Sequence, residues 1–258
     1  MSGKSKIIAK EEMGKNLKKI LVIAVVYSLF TIGTDALSIA SKYYLKAVPN
    51  IVIKLIFVFI VQMFLTQPIS YGWTYSLISK NYRVKNLFVY FKPKYFLKVV
   101  LLCFLFSSLP NLILPSIKAI MVHSAIVFLI FLLVFFVSLY SYVQKFIFIR
   151  YPEASTKENI SYAFNVYMNN LGKIAYFELT YLGWSILIIL TAIALMSLRN
   201  GLLFYLVLAI GIFLYVYVYL YYNVSKAVYY NMLIEKYESP DDDIDDDIDD
   251  DTRMRWTF

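Results

Sequence analysis

Six stretches of this chain, residues 20–40, 51–76, 99–115, 121–144, 174–198 and 202–222, are almost continuously apolar. A helix needs roughly 20 such residues to cross the hydrocarbon core of a bilayer. The alternative is to bury all six in one soluble core. A chain of 258 residues with 60% hydrophobic and only 16% charged side chains has too little polar surface to cover that core. The bilayer is the expected solvent. A transmembrane barrel would alternate polar and apolar residues along strands of about 10 residues. These runs do not alternate, so the expected fold class is all-α, a polytopic integral membrane protein with six transmembrane helices. The third span is the weakest, because Pro110 and Pro115 should kink or end its helix.

Lysine and arginine set the orientation, since cytoplasmic loops carry an excess of both. With the N-terminus inside, twenty of the 25 basic residues fall in the starting segment, the loops after spans two and four, and the C-terminal part. Lys42, Lys46, Lys54, Lys118 and Arg199 are left for the outside. Both termini are therefore expected in the cytoplasm and the chain in the plasma membrane. The first apolar run exceeds the h-region of a cleaved signal peptide, about 7–15 residues, and no small-x-small cleavage site follows it.

The inner loops carry a second pattern. Ser155-Thr156-Lys157-Glu158 has the S-x-x-E form of a capping box. Behind it, Ile160, Ala163, Phe164, Tyr167, Met168 and Leu171 fall on one helical face. The loop after span two repeats this more briefly, with Val84, Leu87, Phe88 and Phe91 turned from Arg83, Lys85 and Lys92. Two cytoplasmic interfacial amphipathic helices are expected, about 83–95 and 155–171, with a weaker third at the N-terminus. Lys18, Lys98 and Lys173 each precede a span. This spacing raises a threefold pseudo-repeat of surface helix, span, hairpin and span; a generic basic loop would look much the same.

Several residues carry a family likeness: Tyr71-Gly72, Leu87-Phe88 with Phe91-Lys92, Tyr151-Pro152, Met168 and Gly172-Lys173. The run from Phe177 to Trp184 is the most specific, and Tyr221-Tyr222-Asn223 and Ala227-Val228-Tyr229-Tyr230 close the pattern. From about residue 71 to 237 the chain resembles the integral membrane family called domain of unknown function 975. It departs from that family at its Pro-Gly-Ile stretch, where only Pro115 stands nearby, and at Leu220, where the family has proline. The resemblance implies a multi-span bacterial membrane protein and brings no established activity.

Ionisable groups at membrane depth raise a functional hypothesis by default. Glu178 lies about 7 Å past Lys173 by helical rise, near Lys145, Arg150 or Lys226 in depth. Asp35 lies about 24 Å past Lys19, toward the outer level of Lys54 and Lys118. These acids would be proton or cation ligands, or halves of interhelical ion pairs; the second reading is preferred because each has a basic residue at its own depth. Gln62, Thr66, Ser70 and Thr74 recur every four residues with Gln67 beside them, and Thr31, Thr34, Asp35 and Ser38 form a similar stripe on span one. Such stripes either line a polar cavity between spans one and two or tie the helices by hydrogen bonds. The tyrosines from Tyr215 to Tyr222, followed by Tyr229 and Tyr230, encircle the helix, and interfacial anchoring is a sufficient explanation, with a vestibule lined by inward-facing phenols as the alternative. Arg83, Lys85, Lys92, Lys94, Lys98, Arg150 and Lys173 are candidate contacts to lipid headgroups.

Enzyme motifs are missing. With one Cys (Cys103) and one His (His123), zinc sites and disulfide scaffolds are excluded nearly by counting, and there is no G-x-S-x-G, P-loop or H-E-x-x-H. No cofactor or metal is expected, and no catalytic residue is assigned. The membrane domain ends near residue 238. Residues 239–258 then hold nine Asp and two Arg, an acidic cytoplasmic tail expected to be a disordered, solvated low-complexity segment, with folding back over basic loops or recruiting a basic partner as the alternatives. The basic residues sit where the positive-inside rule places them, so nucleic acid is not an expected partner. The expected function is a non-enzymatic membrane factor that meets the lipid bilayer, another membrane protein or a peptide, with protection against a membrane-active peptide as one use. A transporter or permease subunit is the alternative, and a lipid-modifying enzyme is disfavoured.

Overall fold

The computed structural model describes residues 1–44, 60–106, 124–191 except 182, 185 and 189, and 202–238. Among these, helices account for the regular structure and there is no strand. Three helices are long and apolar enough to cross a membrane: α1 (Ser2–Tyr44), α4 (Ser124–Arg150) and α6 (Leu202–Glu238). Spans two, three, four and five each fall partly outside the described residues.

Helix α1 is 43 residues long, about 65 Å by helical rise. The expected amphipathic segment at the N-terminus and span one are therefore one unbroken helix. Nothing at Lys18-Lys19 interrupts it: no proline, and no glycine closer than Gly14. Ser5, Ala9, Met13, Ile20 and Ala24 form its buried stripe, while Val22, Leu29 and Ile32 stand exposed. Its neighbours are α6 along its length, Trp73 stacked on Tyr27 at 5.5 Å and Phe88 against Phe30 at 5.4 Å.

The second span enters the described residues at Ile60 and passes through a π-helical turn, Gln62–Thr66, into α2 (Gln67–Ile78). Pro68 stands in the first turn of α2. Its ring crowds the carbonyl four residues back and it donates no N–H, so a widened turn just upstream is the expected adjustment. Helix α2 is buried nearly all round, with Ile69, Tyr71, Trp73, Ser76 and Leu77 inside. It is the central post of the bundle. At Gly72 the following segment comes closest: a Cβ there would lie 2.2 Å from the Leu87 carbonyl oxygen.

That segment corrects the sequence reading of an α-helix over 83–95. Residues Val84–Phe91 form a 3-10 helix, Lys92 is extended (ψ 134°), and Pro93 opens α3 (Pro93–Phe106). Proline disfavours helical dihedrals in the residue before it and is well placed at a helix start, so the break falls at Lys92. The apolar face also divides. Leu87 and Tyr90 are buried under α2 whereas Val84 and Phe88 are exposed.

Helix α4 continues past the expected end of span four to Arg150, and Pro152 stops it. Helix α5 (Thr156–Leu179) begins at the capping box read from the sequence: the Glu158 N–H donates to the Ser155 hydroxyl, and the Ser155 N–H donates to the Glu158 carboxylate at 2.8 Å. That backbone donor holds the Glu158 carboxyl below its ordinary value. The cap is therefore at full strength above the ordinary carboxylate range and fades as pH falls through the lowered value. The interfacial segment 155–171 and the start of span five form one helix, kinked at Asn170 (φ −128°, ψ 15°). Ala163, Val166 and Tyr167 face inward, while Phe164 and Met168, expected on the same face, are half exposed. Span five is also not a single helix. A turn at Thr180–Tyr181 separates α5 from the helical positions of 183–191, with the Thr180 hydroxyl donating to the Phe177 carbonyl at 2.7 Å.

The main core joins α1, α2, α4, α5 and α6, and a smaller one under Tyr71 and Tyr90 joins α2, α3 and α4. Much of the apolar surface faces outward, with Leu97 71% and Phe213 69% exposed. Lipid is the natural contact for such a surface. The Gly72 approach yields a direct test. G72A should destabilise the protein by about 1–3 kcal/mol through overpacking. The same change at Gly33, where a Cβ meets nothing within 4 Å, should be neutral or stabilising. Melting in detergent measures both.

Candidate functional site: a buried ion pair in a tyrosine cage

Glu178, near the end of α5, meets Lys226 on α6 at 3.0 Å, and the two side chains are only 10% and 7% exposed. Of the three partners considered from depth alone, Lys226 is the one used. Tyr222 and Tyr230 lie one turn either side of Lys226 on the same face of α6. The Tyr230 hydroxyl donates to Glu178 Oε1 at 3.2 Å, and the Tyr222 hydroxyl donates to Oε2. Lys226 in turn donates to the Tyr222 oxygen at 2.8 Å and lies over the Tyr142 ring of α4. The carboxylate thus accepts from three donors and the ammonium rests against aromatic faces. Removing charges from water costs several kcal/mol per ion, and this coordination is what offsets it. Stacked rings enclose the pair: Phe177 on Tyr229 at 4.1 Å and Phe146 on Tyr230 at 4.8 Å.

A second polar group sits between α2 and α4. Lys145 donates to the Ser70 hydroxyl at 2.8 Å and stands 5.2 Å from the centre of the Tyr71 ring. Next to it the Tyr71 hydroxyl donates to Gln144 at 3.0 Å. The rest of the expected stripe is also engaged. Thr66 donates to the Thr34 hydroxyl at 3.1 Å, joining spans one and two, while Thr74 bonds the Ser70 carbonyl within its own helix. Gln67 accepts from the Cys103 thiol at 3.8 Å. The side chains of Asp35 and Gln62, and residues Lys54, Lys118 and His123, lie outside the described residues. An apolar recess of about 240 Å³ opens between the 183–191 segment and α6, lined by Trp184, Leu187, Leu208 and Gly211.

The charged segments meet at one end of the bundle. Glu12 of α1 accepts from Tyr82 at 2.6 Å and pairs with Lys80 at 3.8 Å. Glu153 pairs with Lys94 at 2.6 Å and accepts from Tyr95 at 2.9 Å. The Lys94 contact, then that of Tyr95, holds the Glu153 carboxyl below its ordinary range. Lys98 donates to the carbonyls of Pro152 and Ala154 at 3.1 and 3.0 Å, tying α3 to the turn after α4. Arg150 pairs with Glu238 at 2.8 Å and Glu235 at 3.5 Å, and Tyr151 and Tyr162 also donate to Glu238. Lys94, Lys98 and Arg150, read from the sequence as headgroup contacts, therefore hold this end together. Arg83, Lys85, Lys92 and Lys173 are exposed or nearly so and make no ion pair among the described residues.

The cage tyrosines escaped the sequence reading, which gave the tyrosines of span six to the membrane interface. Tyr215 and Tyr217 do stand exposed, but Tyr222 and Tyr230 converge on one carboxylate. The available signal was Tyr222, Lys226 and Tyr230 at i, i+4 and i+8. Compared with known protein families, curated proteins and solved structures, the chain matches none.

E178Q should leave Lys226 buried without its counter-charge and destabilise the protein by about 3 kcal/mol. For a chain of this size that lowers the melting point by roughly 6–12 °C. Adding K226M should recover most of the loss. Equal melting of E178Q and the parent protein would mean that the pair holds nothing together.

Proposed function

We propose that the protein is a non-enzymatic, multi-span membrane factor that associates through a basic cytoplasmic face with anionic lipid or with another membrane protein. The reading takes six spans with both termini in the cytoplasm of a plasma membrane, and protection against a membrane-active peptide is one use of such a factor. The resemblance to the domain of unknown function 975 family belongs to the same proposal.

One observation carries it. On the 3-10 helix, Leu87 and Tyr90 anchor the segment in the bundle while Val84 and Phe88 are exposed among Arg83, Lys85 and Lys92, all three exposed. Apolar tips surrounded by cations suit a surface of anionic headgroups, where each basic residue is worth about 1 kcal/mol. Support for a shared side comes from the pairs Glu12–Lys80, Glu153–Lys94 and Glu238–Arg150. They bring together the same basic segments that the lysine count assigns to one side. The interior polar groups, bonded mainly to one another, fit a packed support better than a solute path.

The buried Glu178–Lys226 pair with Lys145 nearby in the bundle favours one second reading, a proton- or ion-coupled transporter. Two measurements separate the readings. The protein reconstituted in phosphatidylcholine with phosphatidylglycerol should gather phosphatidylglycerol around it, and R83Q/K85Q/K92Q should lose most of that enrichment. Unchanged enrichment in the triple variant contradicts the lipid reading. An ion flux in proteoliposomes that E178Q abolishes would establish the transporter.

A further inference from the structure

A cleft of about 440 Å³ opens between the start of α1, the middle of α5 and the last turns of α6. Met1, Ser2, Gly172, Lys173, Tyr176, Tyr229 and Lys236 line it. Two of these side chains are lysines and, among the described residues lining it, none is Asp or Glu. Glu235, next to Lys236 in sequence, pairs with Arg150 at 3.5 Å, and Glu178, two residues past Tyr176, pairs with Lys226. Tyr229 has a buried hydroxyl with no hydrogen-bond partner among the described residues. Tyr176 is 65% exposed, so one wall of the cleft continues onto the outer, apolar surface of the bundle. Gly172 leaves the rim open, since a Cβ there would meet nothing within 4 Å.

We propose that this cleft binds a phosphate group, presented by an anionic lipid headgroup or as a free phosphate. Two ammonium groups across a small cavity match a phosphate's charge, and a phenol adds a donor that lacks an acceptor. The Tyr176 wall gives an attached acyl chain a way out to the hydrocarbon. The proposal rests on the anionic-lipid reading above and sharpens it from a diffuse basic face to one defined site.

The test uses the full chain in phosphatidylcholine nanodiscs, titrated with dihexanoyl phosphatidate, and separately with inorganic phosphate. K173Q/K236Q should weaken phosphatidate binding about thirtyfold, the scale expected for two near-surface cations. G172L, which fills the rim without changing charge, should weaken it comparably. K10Q/K15Q, the same charge removed from exposed positions of α1 that do not line the cleft, should weaken it less than about threefold. Equal weakening by both lysine pairs, or none by K173Q/K236Q, overturns the site while leaving a diffuse lipid preference standing. If the parent protein binds phosphatidate no better than dihexanoyl phosphatidylcholine, the lipid reading itself falls. The site then survives only if inorganic phosphate binds and K173Q/K236Q removes that binding. Displacement of phosphatidate by millimolar inorganic phosphate makes the free anion a sufficient ligand; binding of the lipid without such displacement makes the headgroup the source.

Discussion

The ion pair between Glu178 and Lys226 is the contact on which the arrangement of the bundle depends. In a membrane no water stands ready to solvate a lone carboxylate, so the acid and base must find each other and their remaining partners within the chain. That requirement fixes α5 against α6 at one depth and one rotation. Tyr222 and Tyr230 face α5 for the same reason, and Tyr142 draws α4 to the site.

Around this contact the molecule has two unlike ends. One is polar and cross-braced: Arg150 on Glu238, Lys98 on the carbonyls after α4, Glu12 on Tyr82. Individually these exposed or half-exposed links are weak. Their effect is collective, because each joins segments far apart in sequence. Toward the other end, the first half of α6 turns Tyr205, Phe213 and Tyr217 outward, as a surface bathed in acyl chains would. Glu238 is clamped beside the turn after α4 by Arg150, Tyr151 and Tyr162.

Much of the frame was legible in the sequence because it follows from composition and local rules. Long apolar runs announced helices and Ser155 with Glu158 the start of α5, while α4 runs beyond its expected end at 144 to Arg150. Glu178 and its basic partner were legible from depth, since helical rise converts residue number into distance. What failed were inferences that needed the neighbours. The 83–95 segment has helical periodicity, yet Pro93 and the close approach of Leu87 to Gly72 give a 3-10 turn. Phe164 and Met168 share a helical face with Tyr167, but the bundle covers only part of that face. The phenols of Tyr222 and Tyr230 resembled interfacial anchors because sequence alone does not show which of many tyrosines points at an acid. Asp35 and Gln62 have side chains outside the described residues, so the polar stripe is visible only from Thr66 onward.

Sidedness tests the account most directly, because every functional statement places the basic end in the cytoplasm. A cysteine introduced at Lys85, in a chain whose own Cys103 is replaced by alanine, can be challenged in intact cells with a membrane-impermeant maleimide. The account predicts no labelling until the cells are permeabilised. Labelling of intact cells at that position would put the lysine-rich end outside and contradict it.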